Sequence, residues 1–414
     1  MRTDNTRQLF ADRNFRLYTI ASIISWLSFF AQTLAVIWLT WELTHSAAWL
    51  AAIALLDTAP YFIFGPWGSV LADRHDRHRI LFVAYVAALV QSLLLAVTAM
   101  AGVLHVGVLG MLAFAHGTIH AFGVPASYGL LPRAVHRDRL SAAIAFSSSY
   151  RTLAMFVGPA LAGLLLALFP VYVCFLFNMV GYAVYLLMLH RMRLPTLVTS
   201  AASGKSLLGD YLDGLRYSLS HPLIGMLLVL TFFNDALRLL TQRLLPAFAD
   251  RLFGAGSGGL AILAGVTGVG AAVASVWLSQ RRPQRMLGVI LAGFALAIAM
   301  TVLFVATREV WTAVGARVVF GLAAEVALTA TVILLQSNVD EHYRSRVMGL
   351  WFMVSQLSNA LLLAVGPLAQ RYGLDAPIYA VCGLALVALV FSWTKRAQSL
   401  RVFRVCPSSA PKRT

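Results

Sequence analysis

The chain has 414 residues, of which 60% are hydrophobic and 12% charged, with a formal net charge of +16. Soluble domains run nearer half apolar and a quarter charged, so water is not the main solvent of this protein and a set of soluble domains is excluded. A positive balance of this size suggests nucleic acid only where the basic residues share one face, and along this chain they do not.

The first fourteen residues are polar and charged and lead into a full-length apolar run, so no cleaved signal peptide is expected. Apolar runs then follow in chain order at 15–41, 47–72, 80–101, 106–131, 141–169 and 171–189, and after a polar stretch at 223–247, 258–279, 286–306, 310–336, 347–370 and 378–393. Most of these runs are long enough to cross a hydrocarbon core of about 30 Å as a helix. The fold class expected is an all-α integral membrane bundle of twelve transmembrane helices.

Charge sorts those helices. With the N-terminus in the cytoplasm, 25 of the 32 Lys and Arg residues fall in cytoplasmic segments, only Arg251, Arg308 and Arg371 fall in opposite-side loops, and four arginines lie inside spans. By the positive-inside rule this places both termini in the cytoplasm, which requires an even number of spans. The basic loops face anionic lipid, and nucleic acid needs no place in the account. Arg outnumbers Lys 29 to 3, the bias of a GC-rich genome, and suggests a bacterial inner (plasma) membrane.

The longest internal polar stretch divides the chain into a six-helix half at 1–190, a linker at 191–222, a second six-helix half at 223–394 and a basic tail at 395–414. Within the linker, Leu207, Leu208, Tyr211, Leu212, Leu215 and Leu219 have the spacing of an amphipathic helix lying on the membrane surface. Gly204, Lys205 and Ser206 imitate the end of a phosphate loop, but position 199 is Thr and no strand precedes it. The halves repeat. Leu130–Leu131 answers Leu334–Leu335, the same offset lays Gly117 on Gly321, and Gly158–Pro159 answers Gly366–Pro367 after a four-residue shift. Such repeats allow one half to rock against the other around a central site.

Gly68-Ser69-Val70-Leu71-Ala72-Asp73-Arg74-His75-Asp76-Arg77-His78-Arg79 lies between the second and third spans. It resembles the signature loop of the major facilitator superfamily, with Ser69 where Gly is usual, and Asp76 resembles the branch holding siderophore, macrolide and other drug exporters. Arg13-Asn14-Phe15-Arg16, Trp41-Glu42-Leu43-Thr44, and Gly214-Leu215-Arg216-Tyr217 with His221-Pro222 extend the resemblance over nearly the whole chain. Gly158, Pro159 and Gly163 resemble the antiporter motif of the fifth span, with Ala162 where Gly is usual. The resemblance implies two pseudo-symmetric halves and, from the antiporter motif, export. It also implies a conformational gate made by Asp73, Arg74, Asp76 and Arg77 with Arg344 and Arg346. Asp73 and these arginines can also make charge-assisted contacts with neighbouring helix ends without reference to any family.

A charge at the membrane centre costs from about 2.5 kcal/mol upward, so each one needs a partner, a cavity or a function. The spans hold Asp57, His116, His120, Arg151, Asp235, Arg238, Arg243, Arg317 and Glu325, while spans 3, 6, 9 and 12 hold none. The resemblance places those four helices on the lipid-facing outside. The proton-coupling and central-cavity set is Glu325, Asp57, His116, His120, Arg151, Asp235, Arg238 and Arg317. Glu325 is the first choice for proton carrier, since desolvation favours the neutral carboxyl. By the repeat, Glu325 pairs with Ala121 beside His120, which suggests a carboxylate and an imidazole at pseudo-equivalent places across one cavity.

Asp235 and Arg238, at i and i+3, can neutralise each other locally. His116 and His120 have metal spacing without a third ligand, so no metal and no cofactor are expected. Trp26, Phe29, Phe30, Trp38, Phe232, Phe233, Trp351 and Phe352 are candidates for an apolar cavity wall. HExxH, GxSxG and a paired Cys/His cluster are absent, and Cys174, Cys382 and Cys406 offer no disulfide framework, so the chain does not read as an enzyme. The expected function is proton-coupled export of a small hydrophobic or amphipathic molecule. Import, lysolipid transport and a non-transporting sensor or assembly factor are the alternatives. The expected partners are a small-molecule substrate, protons and the lipid bilayer, with no nucleic acid and a monomeric chain.

Overall fold

The computed structural model describes residues 10–403 except 129, 136–138, 193–214, 219, 255–256, 280–285, 340–346, 349, 352 and 356. Its principal helices are α1 (Arg13–Thr44), α2 (Ala47–Arg74), α3 (Arg77–Met100), α4 (Val106–Tyr128), α5 (Leu140–Leu168) and α6 (Tyr172–Arg191). They continue as α7 (Pro222–Arg243), α8 (Ser257–Ser279), α9 (Met286–Ala306), α10 (Val310–Asn338), α11 (Leu361–Tyr372) and α12 (Asp375–Phe403). Among the described residues, ten of them are long and apolar enough to cross a membrane. In α5 the continuous apolar stretch is Leu153–Leu168. The eleventh span begins before α11, passes through a 3-10 turn at Ser358–Ala360 and runs on as α11. Helices dominate because a bilayer leaves no water to satisfy backbone polar groups, so each segment must bond to itself.

Three sequence boundaries move. The fourth span stops at Tyr128, and Leu131–Ala134 forms a separate turn with Pro132 in its first positions. The seventh span breaks at Leu244, where Pro246 starts a second helix, Leu245–Phe253. In both places proline has no N–H to continue the ladder and is best accommodated in a first helical turn. The expected tail at 395–414 is helical through Phe403. The amphipathic linker helix falls mainly outside the described residues, although Leu215 and Tyr217 lie in a helical stretch at 215–218.

Small residues set the packing. A side chain on Gly117 of α4 would collide with the Asp57 carbonyl of α2, and one on Gly68 of α2 with the Ala121 carbonyl of α4. Likewise Gly321 of α10 sits on the Thr267 carbonyl of α8, and Gly270 of α8 on the Val318 carbonyl of α10. The α2–α4 pair of the first half is thus rebuilt as α8–α10 in the second, as the Gly117–Gly321 correspondence predicts. Close approach of this kind drives helix association where lipid removes any hydrophobic incentive.

The halves meet along two seams, α5 against α8 and α2 against α11. Gly163 lies on Ala261 at the first seam, and Gly366 lies on Ala51 at the second. Contacts therefore pair Gly366 with Gly163 rather than with Gly158, which backs onto Leu27 and Phe30 of α1 inside its own half. Both glycine contacts lie toward the membrane side that carries the α1–α2 and α11–α12 loops, so the halves are closed at that end. The lipid-facing assignment of spans 3 and 12 agrees with exposed Val83, Val90 and Val97 of α3 and exposed Leu384, Val387 and Phe391 of α12.

Two of the three arginines outside the positive-inside pattern share one carboxylate. Arg251 Nη1 lies 2.5 Å from Asp375 Oδ1 and Arg308 Nη2 lies 3.3 Å from Asp375 Oδ2, while Arg251 Nη2 donates to the Val305 carbonyl at 2.8 Å. The cluster ties the Leu245–Phe253 helix to α9 and to the first turn of α12. Because Asp375 and Arg308 are partly exposed, Asp375→Asn is expected to cost roughly 1 kcal/mol. The measurement is the unfolding midpoint in mild detergent, and an unchanged midpoint would show the cluster to be idle.

Candidate functional site

Asp57 stands on α2 where the Gly117 contact brings α4 closest, and this proximity sets the geometry around its carboxylate. His116 Nδ1 of α4 lies 2.7 Å from Asp57 Oδ1, and Arg243 Nη2, at the end of α7 in the other half, lies 3.8 Å from Oδ2. One carboxylate thus joins an imidazole of its own half to a guanidinium of the opposite half. Phe29 of α1 stacks on His116 with ring centroids 5.4 Å apart and meets His120 edge-on at 5.0 Å. His120 Nε2 is 3.3 Å from the Tyr182 hydroxyl of α6. The histidines have separate partners, and among the described residues no cluster of three or more His, Cys, Asp or Glu could hold a metal ion.

The second half holds its carboxylates differently. Asp235 is fully buried on α7, with Arg238 Nε 3.3 Å from Oδ1 and the Ser355 hydroxyl donating to Oδ2. The local Asp235–Arg238 pair expected from the i, i+3 spacing is present. Glu325 of α10 accepts a 2.8 Å hydrogen bond from Thr329 one turn along, within electrostatic range of Arg238 and Asp235. In the other half His116 bonds Asp57 and His120 lies against the Tyr182 hydroxyl. By contacts, Asp57 corresponds to Thr267, so the repeat places a carboxylate in one half where the other has a hydroxyl.

Arg317 of α10 is 3% exposed and donates through Nη1 to Thr241 Oγ1 at 3.0 Å. The rings of Phe304 and Phe320 lie 5.2 and 5.1 Å from its guanidinium carbon. Arg151 of α5 lies over Trp26 at 5.9 Å. Trp26, Phe29 and Phe30 touch one another. Trp26 and Phe29 border a cleft with Ser25, Tyr85 and His120. Phe352 lies outside the described residues.

A polar core in the first half escaped a search confined to ionisable residues. Asn178 of α6 donates to Gln32 Oε1 at 2.8 Å and to Ser92 Oγ at 3.1 Å; Ser92 donates to Gln32 Oε1 at 2.9 Å, and Gln32 donates to Gln91 Oε1 at 3.3 Å. Gln91 and Ser92 belong to α3, so two helices whose membrane interiors hold no charges still turn amides inward toward α1. The available signal was three amides inside apolar runs, since a buried amide needs partners. Arg243 was noted in its span but its cross-half partner was not.

At the opposite membrane side, Asp76 caps α3 by accepting from the His78 N–H at 3.2 Å, and Arg77 Nε donates to the Ala72 carbonyl at 3.0 Å. The side chains of Asp73 and Arg74, and the whole of Arg344 and Arg346, lie outside the described residues. The gate implied by resemblance falls there.

Six-helix halves that repeat one another, meet along two seams and turn their ionisable side chains inward define a polytopic membrane transporter fold. Residues 7–405 match the family described as transmembrane secretion effector, and the chain belongs to this major-facilitator-type family. It is 28% identical to macrolide efflux protein A of Streptococcus pyogenes over 184 residues, 44% of this chain and 45% of that protein, so the match spans less than half of that relative. It is 25% identical to the enterobactin exporter of Salmonella choleraesuis over 406 residues, 95% of this chain and 94% of that one. A crystal structure of a bacterial homologue of the human lysosomal transporter Spinster, inward-facing and unoccupied, superposes with a TM-score of 0.72 at 16% identity, covering 96% of this chain and 99% of that one. At that identity the likeness concerns the fold.

Proposed function

We propose that this chain is a proton-driven exporter of a small hydrophobic or amphipathic molecule, working by rocker-switch alternating access. It acts as a monomer in the bacterial inner membrane with both termini cytoplasmic. The rocking units are the halves 1–190 and 223–394, joined by the 191–222 linker. Efflux and export in the names of relatives support the direction, and the Asp57–His116–Arg243 bridge carries the mechanism.

Arg243 and a proton compete for the same carboxylate. With the halves closed at the outer side, Arg243 neutralises Asp57 and the proton is free to leave toward the cytoplasm. When the outer side opens, α7 draws away from α2, and a proton arriving from outside replaces the guanidinium. A ligand moves a two-state equilibrium only through its differential affinity for the two states, and a proton that binds only the Arg243-free carboxylate has that property. The substrate crosses in the opposite direction during the return. This geometry favours Asp57 over Glu325 as the coupling group, because among the described residues Glu325 is bonded within its own helix while Asp57 bridges the two halves. Asp73, Arg74, Asp76 and Arg77, with Arg344 and Arg346, act as the cytoplasmic gate.

The test is flux in proteoliposomes under an imposed pH gradient. Asp57→Asn is expected to abolish gradient-driven transport while substrate exchange without a gradient persists. Glu325→Gln is expected to retain coupling. Loss of coupling in Glu325→Gln with coupling intact in Asp57→Asn would transfer the role to Glu325.

A further inference from the structure

Arg317 is a buried cation. Among the described residues no carboxylate lies within ion-pair distance of its guanidinium, whereas Asp57 is engaged by His116 and Arg243 and Asp235 by Arg238 and Ser355. Its Nε makes no hydrogen bond, and Thr241 and two phenyl rings supply only neutral contacts. Ring faces and one hydroxyl offset only part of the hydration that a guanidinium loses on burial.

Arg317 also faces an open cavity between the halves, ≈ 500 Å³ with the solvent at its mouth included, which it lines together with Arg238, Gln242, Leu34, Met155 and Pro159. The seam where Gly163 meets Ala261 lies on the side of this cavity nearer the closed end. Four arginines against three carboxylates occupy the membrane interior, an excess of one positive charge.

We propose that this cavity is the seat of an anionic head group, a carboxylate or similar small oxyanion, of the transported molecule. Arg317 supplies the charge and a fork-shaped donor set, Arg238 adds donors beyond its bond to Asp235, Gln242 supplies an amide, and Leu34, Met155 and Pro159 take the apolar remainder. An arginine fork matches two oxygens at once, which a lysine does not. A cationic cargo would meet repulsion here, and a neutral one would leave the guanidinium uncompensated. The assignment to cargo rests on the exporter reading; the binding site itself does not.

The experiment uses the full chain purified in non-ionic detergent, with 2-naphthoate as the anionic probe. Naphthalene-2-carboxamide is its neutral isostere and 2-naphthylmethylammonium its cationic counterpart. Equilibrium dialysis at fixed ionic strength, with a detergent-only blank subtracted, is expected to show saturable binding of naphthoate. The amide should bind at least ~10-fold more weakly and the ammonium not at all, a tenfold step being about 1.4 kcal/mol. Arg317→Gln should weaken naphthoate binding by a similar factor and leave the amide unchanged. Arg317→Lys, which keeps the charge and loses the fork, should fall between and serves if the glutamine variant does not fold. Absence of saturable naphthoate binding, equal binding of naphthoate and amide, or unchanged naphthoate affinity in either variant would overturn the site. Intact naphthoate binding in a protein that shows no proton-driven flux would instead reject the exporter reading and leave the site standing.

Discussion

Arg243→Gln is expected to lower proton-driven transport by about 30-fold. Removing one partner of a buried ion pair commonly costs about 3–5 kcal/mol because the other charge is left uncompensated. Here the separation is 3.8 Å and the two side chains are 14% and 23% exposed. Partial hydration and the His116 contact bring the expected effect down to about 2 kcal/mol, which is about 30-fold at 1.4 kcal/mol per decade. The loss should appear in gradient-driven flux and be smaller in substrate exchange, since the guanidinium is the proton's competitor and makes no demand on cargo. In the double variant Asp57→Asn/Arg243→Gln the uncharged pair should restore stability without restoring coupling. Equal losses in driven flux and exchange would show that Arg243 serves packing or substrate contact and would remove the competition mechanism.

Gly366→Leu is expected to hold the halves apart at the end where they are closed. Even a Cβ at this position would collide with the Ala51 methyl and lie 3.2 Å from the Ala47 carbonyl, and backbone of that kind cannot rotate away. Overpacking of a tight contact costs about 1–3 kcal/mol, which in a two-state equilibrium shifts populations by about 5- to 150-fold. Gly163→Leu attacks the matching contact on Ala261 and should produce the same displacement. Thiol labelling of a single cysteine introduced below the seam should rise from the outer side in either variant, with transport lost. The two native cysteines among the described residues are buried, and Cys406 is replaced by Ser in the labelling background. Unchanged labelling with transport intact would mean that these seams do not open during the cycle.

Much of the fold was legible in the sequence because the bilayer is a severe solvent. Runs such as 286–306 leave a chain few options besides a helix, and that span is observed with the same limits. Where prediction slipped, a local cause was present: Pro132 and Pro246 each start a new helical turn inside an apolar run that hydropathy reads as continuous. Repetition was also legible through Gly117 and Gly321, whereas the match of Gly158 with Gly366 relied on a shared Gly-Pro pair and missed the contact that makes Gly163 the true counterpart.

The candidate site was legible only as a set of names. Asp57, His116, Asp235, Arg238, Arg317 and Glu325 were all conspicuous as charges or titratable groups in lipid, and the i, i+3 pair of Asp235 with Arg238 followed from helix geometry alone. Their other partners were not readable. Composition, run length and the placement of arginines determined by themselves that this is a helical membrane bundle with repeating halves, because those properties depend on transfer from water and are local to each segment. Which charges meet was decided by tertiary structure. Asp57 reaches His116 because Gly117 lets α4 close on α2, it reaches Arg243 because the two halves are closed at that end, and Arg317 meets Thr241 and two phenyl rings because Asp235 and Glu325 stand farther along the same two helices. Those outcomes depend on contacts between segments far apart in sequence, where a hydropathy pattern carries no information about distance.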